Sequence, residues 1–235
     1  MTKHTNPEAL IAFAKQALAA VADPMKAGPM AAYMKTEQPF YGVPKPERQR
    51  IERDLQRRFP IHTQEAYETA ILGLWSGERR EEQYLATAVA RQNPAFVGLA
   101  SLPLYERMIR EGAWWDLVDD VATRLVGGIW MACRAELNPV MDTWIQDRVL
   151  WIRRSALIAQ NRHKGATDEE RLFRYCLRCA DENAFFIRKA IGWALREYSY
   201  TAPERVAAFA DSHRDVLSGL SYREAVRVLK RRGEV

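Results

Sequence analysis

Ala113-Trp114-Trp115-Asp116-Leu117-Val118-Asp119-Asp120-Val121 is the stretch from which the rest of the chain can be read. At about 100° per residue, Trp114, Val118, Val121 and the following Leu125 fall on one apolar stripe. That stripe predicts the opening turns of a helix packed against a core. Trp115 and Asp119 lie one turn apart on the flank of the stripe. A carboxylate at the edge of a core face needs a reason, because burying it unpaired is costly. Spacing leaves two readings open: Asp119 pairs with a nearby Arg or caps a neighbouring helix, or it forms a site with Trp115.

Further along, Ile152-Arg153-Arg154-Ser155 recurs as Ile187-Arg188-Lys189-Ala190 and Tyr222-Arg223-Glu224-Ala225, at a spacing of 35. The same interval back from Arg154 reaches Asp119, so Asp119, Arg154 and Lys189 share one register. A fixed period in this range marks an α-solenoid, in which successive helix pairs stack. One register repeated on inner helices would line one concave surface.

The remaining segments agree with an all-α chain. Asn6-Pro7-Glu8 is a helix start with Pro at the first helical position, and Asp23-Pro24 ends that helix. A short helix over about 25–35 carries Tyr33; a Pro- and Gly-rich connector, 40–46, leads to a basic helix over about 46–59. Helices are then expected at 64–75, 79–92, 95–111, 114–133, 138–146, 148–163, 168–181, 184–199, 203–211 and 221–232. Breaks fall at Ser76-Gly77, Asn93-Pro94, Asn138-Pro139, Lys164-Gly165 and Ala202-Pro203. No run alternates β-branched residues. The expectation is a single domain over residues 1–235.

With 235 residues and 48% hydrophobic side chains, the chain can bury a core. A net charge of +5 permits a polyanionic partner without showing one. Arg outnumbers Lys, which suits phosphate recognition but also follows from genome composition. Three cysteines, an odd number, argue against a disulfide framework and fit a reducing cytoplasm. Cys176-x-x-Cys179 sits inside an apparent amphipathic helix without a second ligand pair, so it reads as structural, and no metal or cofactor is expected. No segment approaches the ~20 apolar residues of a membrane span.

The Trp-Trp-Asp stretch, Trp151-Ile152-Arg153-Arg154, the string Ala190-Ile191-Gly192-Trp193-Ala194-Leu195-Arg196-Glu197-Tyr198 and Met30-Ala31-Ala32-Tyr33 resemble, in the same order, the AlkD family of DNA alkylation-repair glycosylases. The resemblance covers nearly the whole chain. It implies a single domain of HEAT-like helix pairs with a basic concave groove. It implies hydrolysis of the N-glycosidic bond of cationic N3- and N7-alkylpurines, such as 3-methyladenine and 7-methylguanine, in duplex DNA and without base flipping. By the same resemblance Trp115, Asp119 and Trp193 are the catalytic group, Arg154 contacts the backbone at the lesion, and Tyr33 approaches the DNA. The connector departs from the family in carrying Pro44 where a polar side chain is expected.

The chemistry of these residue types is consistent with that expectation. Cleaving an N-glycosidic bond builds positive charge on the sugar, as in the oxocarbenium-like state of sugar hydrolysis. A carboxylate at Asp119 would stabilise that charge and position a water. The faces of Trp115 and Trp193 suit a cationic base, although Trp193 taken alone reads as core. Arg153, Arg154, Arg188, Lys189, Arg196 and Phe185 are the other candidate DNA contacts, the basic ones equally readable as a general basic face. A cationic base leaves neutral, so no general acid is required, and no Lys is poised for lyase chemistry. The expected protein is a cytoplasmic, bacterial, monomeric, monofunctional glycosylase whose partner is alkylated duplex DNA. The competing readings are a non-catalytic helical-repeat protein that binds damaged or branched DNA, and a protein–protein scaffold.

Overall fold

The computed structural model describes residues 6–233, and no strand occurs among them. The chain divides into two compact units, Met1–Leu104 and Tyr105–Val235. It has the helix-on-helix architecture of an α-solenoid.

The first unit contains α1 (Pro7–Ala20), α2 (Pro24–Met34), α3 (Lys45–Arg58), α4 (Gln64–Trp75) and α5 (Arg80–Gln92). Asn6 caps α1 by accepting the Ala9 amide at 2.8 Å, as its Asn-Pro-Glu start requires. Leu10, Leu18, Leu55, Tyr67, Ile71, Leu74 and Leu85 make the core between α1, α3, α4 and α5. Helix α2 buries no residue at all. It is held at its root instead. The Asp23 amide donates to Tyr41 O at 2.9 Å, and the Tyr41, Gly42 and Val43 amides all donate to the fully buried Glu81 carboxylate at 2.9–3.0 Å. Three backbone donors on one carboxylate satisfy a charge that could not otherwise be buried. Gly42 makes this turn possible: its φ is +83°, and a Cβ there would sit 2.0 Å from Asp23 O.

Helix α6 (Leu102–Gly112) follows, then α7 (Trp115–Asp120), a π-helical segment (Val121–Val126) and α8 (Gly127–Ala132), the last three forming one uninterrupted rod. Then come α9 (Arg134–Trp144), α10 (Leu150–Ile158), α11 (Glu169–Arg178), α12 (Phe185–Ser199), α13 (Pro203–Ser212), α14 (Gly219–Ala225) and α15 (Arg227–Arg232). Helix α10 packs on α7 and α12, and α12 packs on α14. Ion pairs also join these layers, at sequence separations of 35 for Asp119–Arg154 and Lys189–Glu224, 37 for Arg110–Asp147 and 36 for Glu169–Arg205. The repeat period is therefore written in salt bridges between consecutive layers as well as in apolar contacts.

The structure corrects several expected boundaries. The helix placed at 95–111 is two 3₁₀ turns, Pro94–Phe96 and Leu99–Ser101, before α6 begins at Leu102. The break placed at Asn138-Pro139 does not occur: Pro139 lies inside α9. The carbonyl that its missing N–H leaves free belongs to exposed Ala135, where water can bind it, while Leu137, Met141 and Trp144 anchor the helix. The helix placed at 148–163 ends at Ile158 and tightens into a 3₁₀ turn, and the one at 221–232 is interrupted at Val226. The π segment inside 114–133 was unforeseen.

Candidate active site

The site is assembled by the entry into α7. Ala113 adopts φ +36°, a left-handed conformation that a side chain disfavours. It turns the chain sharply so that extended Trp114 precedes the first helical residue, Trp115. Trp114 is therefore not the first member of the buried stripe; Leu117, Val118, Val121 and Leu125 are buried, and Trp114 stays half-buried. Its ring meets Phe186 edge-on at 5.1 Å and lies 5.9 Å from Trp151, and Trp151 and Phe186 are 4.9 Å apart. Phe185, 59% exposed, packs edge-on against Phe186 at 5.4 Å. The Trp114 indole nitrogen is buried without a hydrogen-bond acceptor.

Asp119 lies in the last turn of α7, and Arg154 reaches it from α10. Arg154 Nε donates to Asp119 Oδ1 at 2.8 Å, and Nη2 donates to Oδ2 at 2.7 Å. The third nitrogen, Nη1, donates to the Phe186 carbonyl at 2.7 Å in the first turn of α12. Every guanidinium nitrogen is thus committed inside the fold, and Arg154 is only 5% exposed. Asp119 shares its register with the cations Arg154 and Lys189. The structure gives it the Arg partner that the plainer reading of its spacing offered.

The electrostatics of Asp119 follow. Burial pushes its carboxyl above the ordinary carboxylate value, Arg154 pulls in the opposite direction, and the neighbouring Asp116 and Asp120 charges add to the upward push. Asp120 itself pairs with Arg124 at 2.6 Å. Each carboxylate oxygen of Asp119 accepts one Arg154 hydrogen bond and keeps a second lone pair. The side chain is 17% exposed, so those lone pairs remain within reach of a small molecule or sugar.

The other expected DNA contacts are similarly engaged. Arg153 is bidentate to Glu182 at 2.6 and 2.9 Å. Arg188 bonds the Glu182 carbonyl and the Asn183 side chain. Lys189 and Arg196 share the Glu224 carboxylate, Lys189 at 2.9 Å. Burial acts to raise the Glu224 carboxyl, but Lys189, Arg196 and Arg227 together outweigh it and hold it below its usual range. Trp193, half-buried on α12, donates its indole N–H to Glu197 one turn on at 3.0 Å. Among the described residues, no hydrogen bond or ring contact joins Trp115 or Trp193 to the Asp119–Arg154 pair. Tyr33, 74% exposed near the end of α2, belongs to the first unit. Cys176 and Cys179 are free and buried; burial pushes both thiols upward, Cys179 to about 12.

Sequence reasoning passed over Phe186, Glu197, Glu182 and Glu224. Two of them carried a signal. Glu224 stands 35 residues after Lys189 in the repeat register, and Glu197 stands four after Trp193, where helical neighbours meet. Nothing local marks the Phe186 carbonyl.

The model of the DNA alkylation repair enzyme family matches residues 14–229. A solved structure of a predicted DNA alkylation repair enzyme from Enterococcus faecalis is 32% identical, with a TM-score of 0.82 over 88% of this chain and 96% of that one. The structure of smu.31 from Streptococcus mutans UA159 is 15% identical, with a TM-score of 0.56 over 77% of this chain and 96% of that one, a likeness of fold alone. No curated protein sequence matches. On the family match over most of its length and the likeness to the enterococcal structure, the chain belongs to the DNA alkylation repair enzyme family, the AlkD-like group that its motifs resemble.

Proposed function

We propose that this protein is a monofunctional DNA glycosylase that hydrolyses the N-glycosidic bond of cationic N3- and N7-alkylpurines in duplex DNA. The observation that carries the reading is Asp119: a half-buried carboxylate, raised by burial, gripped in a fixed orientation by Arg154 and one turn from Trp115. Fixed charge in a poorly solvated place is what a sugar approaching an oxocarbenium-like state requires. Asp119 stabilises that charge and orients the attacking water. Arg154 acts through Asp119, keeping the carboxylate ionised and aimed. Trp115 and Trp193 offer π-faces to the cationic base, and Glu197 fixes the Trp193 ring by holding its N–H.

The leaving base departs neutral and needs no proton donor, so 3-methyladenine, 7-methylguanine and bulky cationic adducts fall in one substrate class. The base need not be extruded into a pocket, unlike the usual glycosylase case. The protein acts as a monomer in the cytoplasm; no helix among the described residues is long and apolar enough to cross a membrane. One observation favours the non-catalytic, DNA-binding alternative: Asp119 and Arg154 already satisfy each other, as a structural ion pair would. Release of 7-methylguanine from methylated duplex DNA separates the two. Excision above the spontaneous rate supports the glycosylase, and binding without excision supports the alternative.

A further inference from the structure

Four of the five cations expected to meet phosphate on α10 and α12 are consumed within the fold: Arg153 by Glu182, Arg154 by Asp119, and Lys189 with Arg196 by Glu224; Arg188 bonds only the Glu182 carbonyl and the Asn183 side chain. A phosphate must displace a carboxylate to reach those four. The end of the chain is different. Arg223, Arg227, Lys230 and Arg231 are exposed, and none has an ion-pair partner among the described residues. Arg227, Lys230 and Arg231 fall within an arc of about 100° of α15 and Arg223 lies in the last turn of α14 just before it, while Ala225, Val226, Val228 and Leu229 between them are buried.

Fold stability does not explain this face. Like charges one turn apart repel. The helix dipole accounts for cations in a last turn, as at Arg223, Lys230 and Arg231, but Arg227 is the first residue of α15, the end where a positive charge is unfavourable. Glu224 is bonded by Lys189 and Arg196, and Arg227 adds only an attraction to it without an ion-pair contact. From Arg227 to Arg231 the rise along α15 is about 6 Å, a length over which a duplex carries about three to four phosphate charges.

We propose that the exposed face of α14 and α15, formed by Arg223, Arg227, Lys230 and Arg231, is a docking surface for the phosphate backbone of duplex DNA. It supplies sequence-independent affinity that the ion-paired residues of α10 and α12 do not supply. The proposal rests on the reading that duplex DNA is the substrate.

The test is a variant with all four residues changed to Gln, measured for affinity to an undamaged duplex between 50 and 200 mM salt. The slope of log affinity against log salt is expected to fall by about 0.9 for each cation that meets a phosphate, while the first-order excision rate at saturating protein stays within about twofold, since these residues touch no reacting atom. Arg107→Gln, which removes an ion-paired cation, should leave the slope unchanged. An unchanged slope in the fourfold variant overturns the proposal. So does an equal fall in Arg107→Gln, which would reduce the effect to net charge. Retained DNA affinity with lost binding to phosphatidylserine vesicles would also overturn it. If the wild type binds duplex DNA in this salt-dependent way yet excises nothing, the glycosylase reading fails and this one stands.

Discussion

Replacing Arg154 with Met distinguishes a residue that tunes Asp119 from one that grips phosphate. Met keeps an unbranched apolar stem in a site that is only 5% exposed. It deletes two charge-assisted hydrogen bonds, of 2.7 and 2.8 Å, to the Asp119 carboxylate. Each such bond contributes about 1.5–3 kcal/mol, and losing one partner of a buried pair costs about 3–5 kcal/mol. The Asp119 carboxyl is already pushed up by burial, and Arg154 is what opposes that push. Removing it disfavours the ionised form, so the acid limb of excision moves upward in pH. The sign follows from the role: the carboxylate must be ionised to stabilise the sugar, so activity disappears as pH falls through the raised value. Single-turnover excision of 7-methylguanine from about pH 5 to 10, the range within which carboxylates perturbed by burial titrate, reads the limb directly. Activity should be reduced and should recover in part as pH rises. An unmoved limb, accompanied by a salt slope lower by about one, would show that Arg154 serves the phosphate backbone instead.

Asp119→Asn should nearly abolish excision while duplex affinity stays equal or tightens slightly; near-normal single-turnover rates would remove Asp119 from the mechanism. In a panel of duplexes, 7-methylguanine and a bulky cationic adduct should be excised and uracil and hypoxanthine should not, because neutral bases leave poorly without protonation; efficient uracil release would refute selection by charge. His163 is 4% exposed; its Nε2 bonds the Gly127 carbonyl at 2.8 Å, and burial keeps its pKa below the ordinary 6.5. The unfolded chain therefore binds a proton that the folded chain refuses, so stability is full above pH 6.5 and falls below it, and the urea midpoint of His163→Gln should depend less on pH across that window. Gly127→Ala would place a Cβ 2.2 Å from the Ala159 carbonyl oxygen and should cost about 1–3 kcal/mol in chemical unfolding.

The helices were legible wherever apolar period and end signals agreed. Residues 64–75 are a helix with the same bounds in both readings, capped by Thr63, whose hydroxyl accepts the Ala66 amide. Boundaries failed where one local signal was outweighed, as at Pro139, whose disruption was tolerated because it fell on a solvated side. The register of 35 led directly to Asp119 and Arg154, yet not to their being bonded. A period shows which residues occupy equivalent places; whether two equivalent places touch depends on how far one layer is displaced along the next. For the same reason the register placed Glu224 level with Lys189 without showing that it bonds Lys189 and Arg196, and Glu182, in the turn before α12, lies outside the register altogether. Exposure and the lack of an ion pair, neither of which a sequence displays, then marked Arg223, Arg227, Lys230 and Arg231 as a cluster on two successive helices.

The π segment at Val121–Val126 has a meaning beyond its own six residues. A turn widened from i→i−4 to i→i−5 bonding holds one more residue than the α turn it replaces. Everything on the N-terminal side is thereby rotated by about 100° relative to α8, the angle of one residue. Trp115 and Asp119 lie on that side; Gly127, pressed against the Ala159 carbonyl and bonded to His163, lies on the other. The segment thus acts as an azimuth setting on a fixed axle. Excising a single residue from it would leave a regular helix of the same composition, with Asp119 swung off the bearing on which Arg154 now meets it. The chemistry of this rod depends on residue count as much as on residue identity.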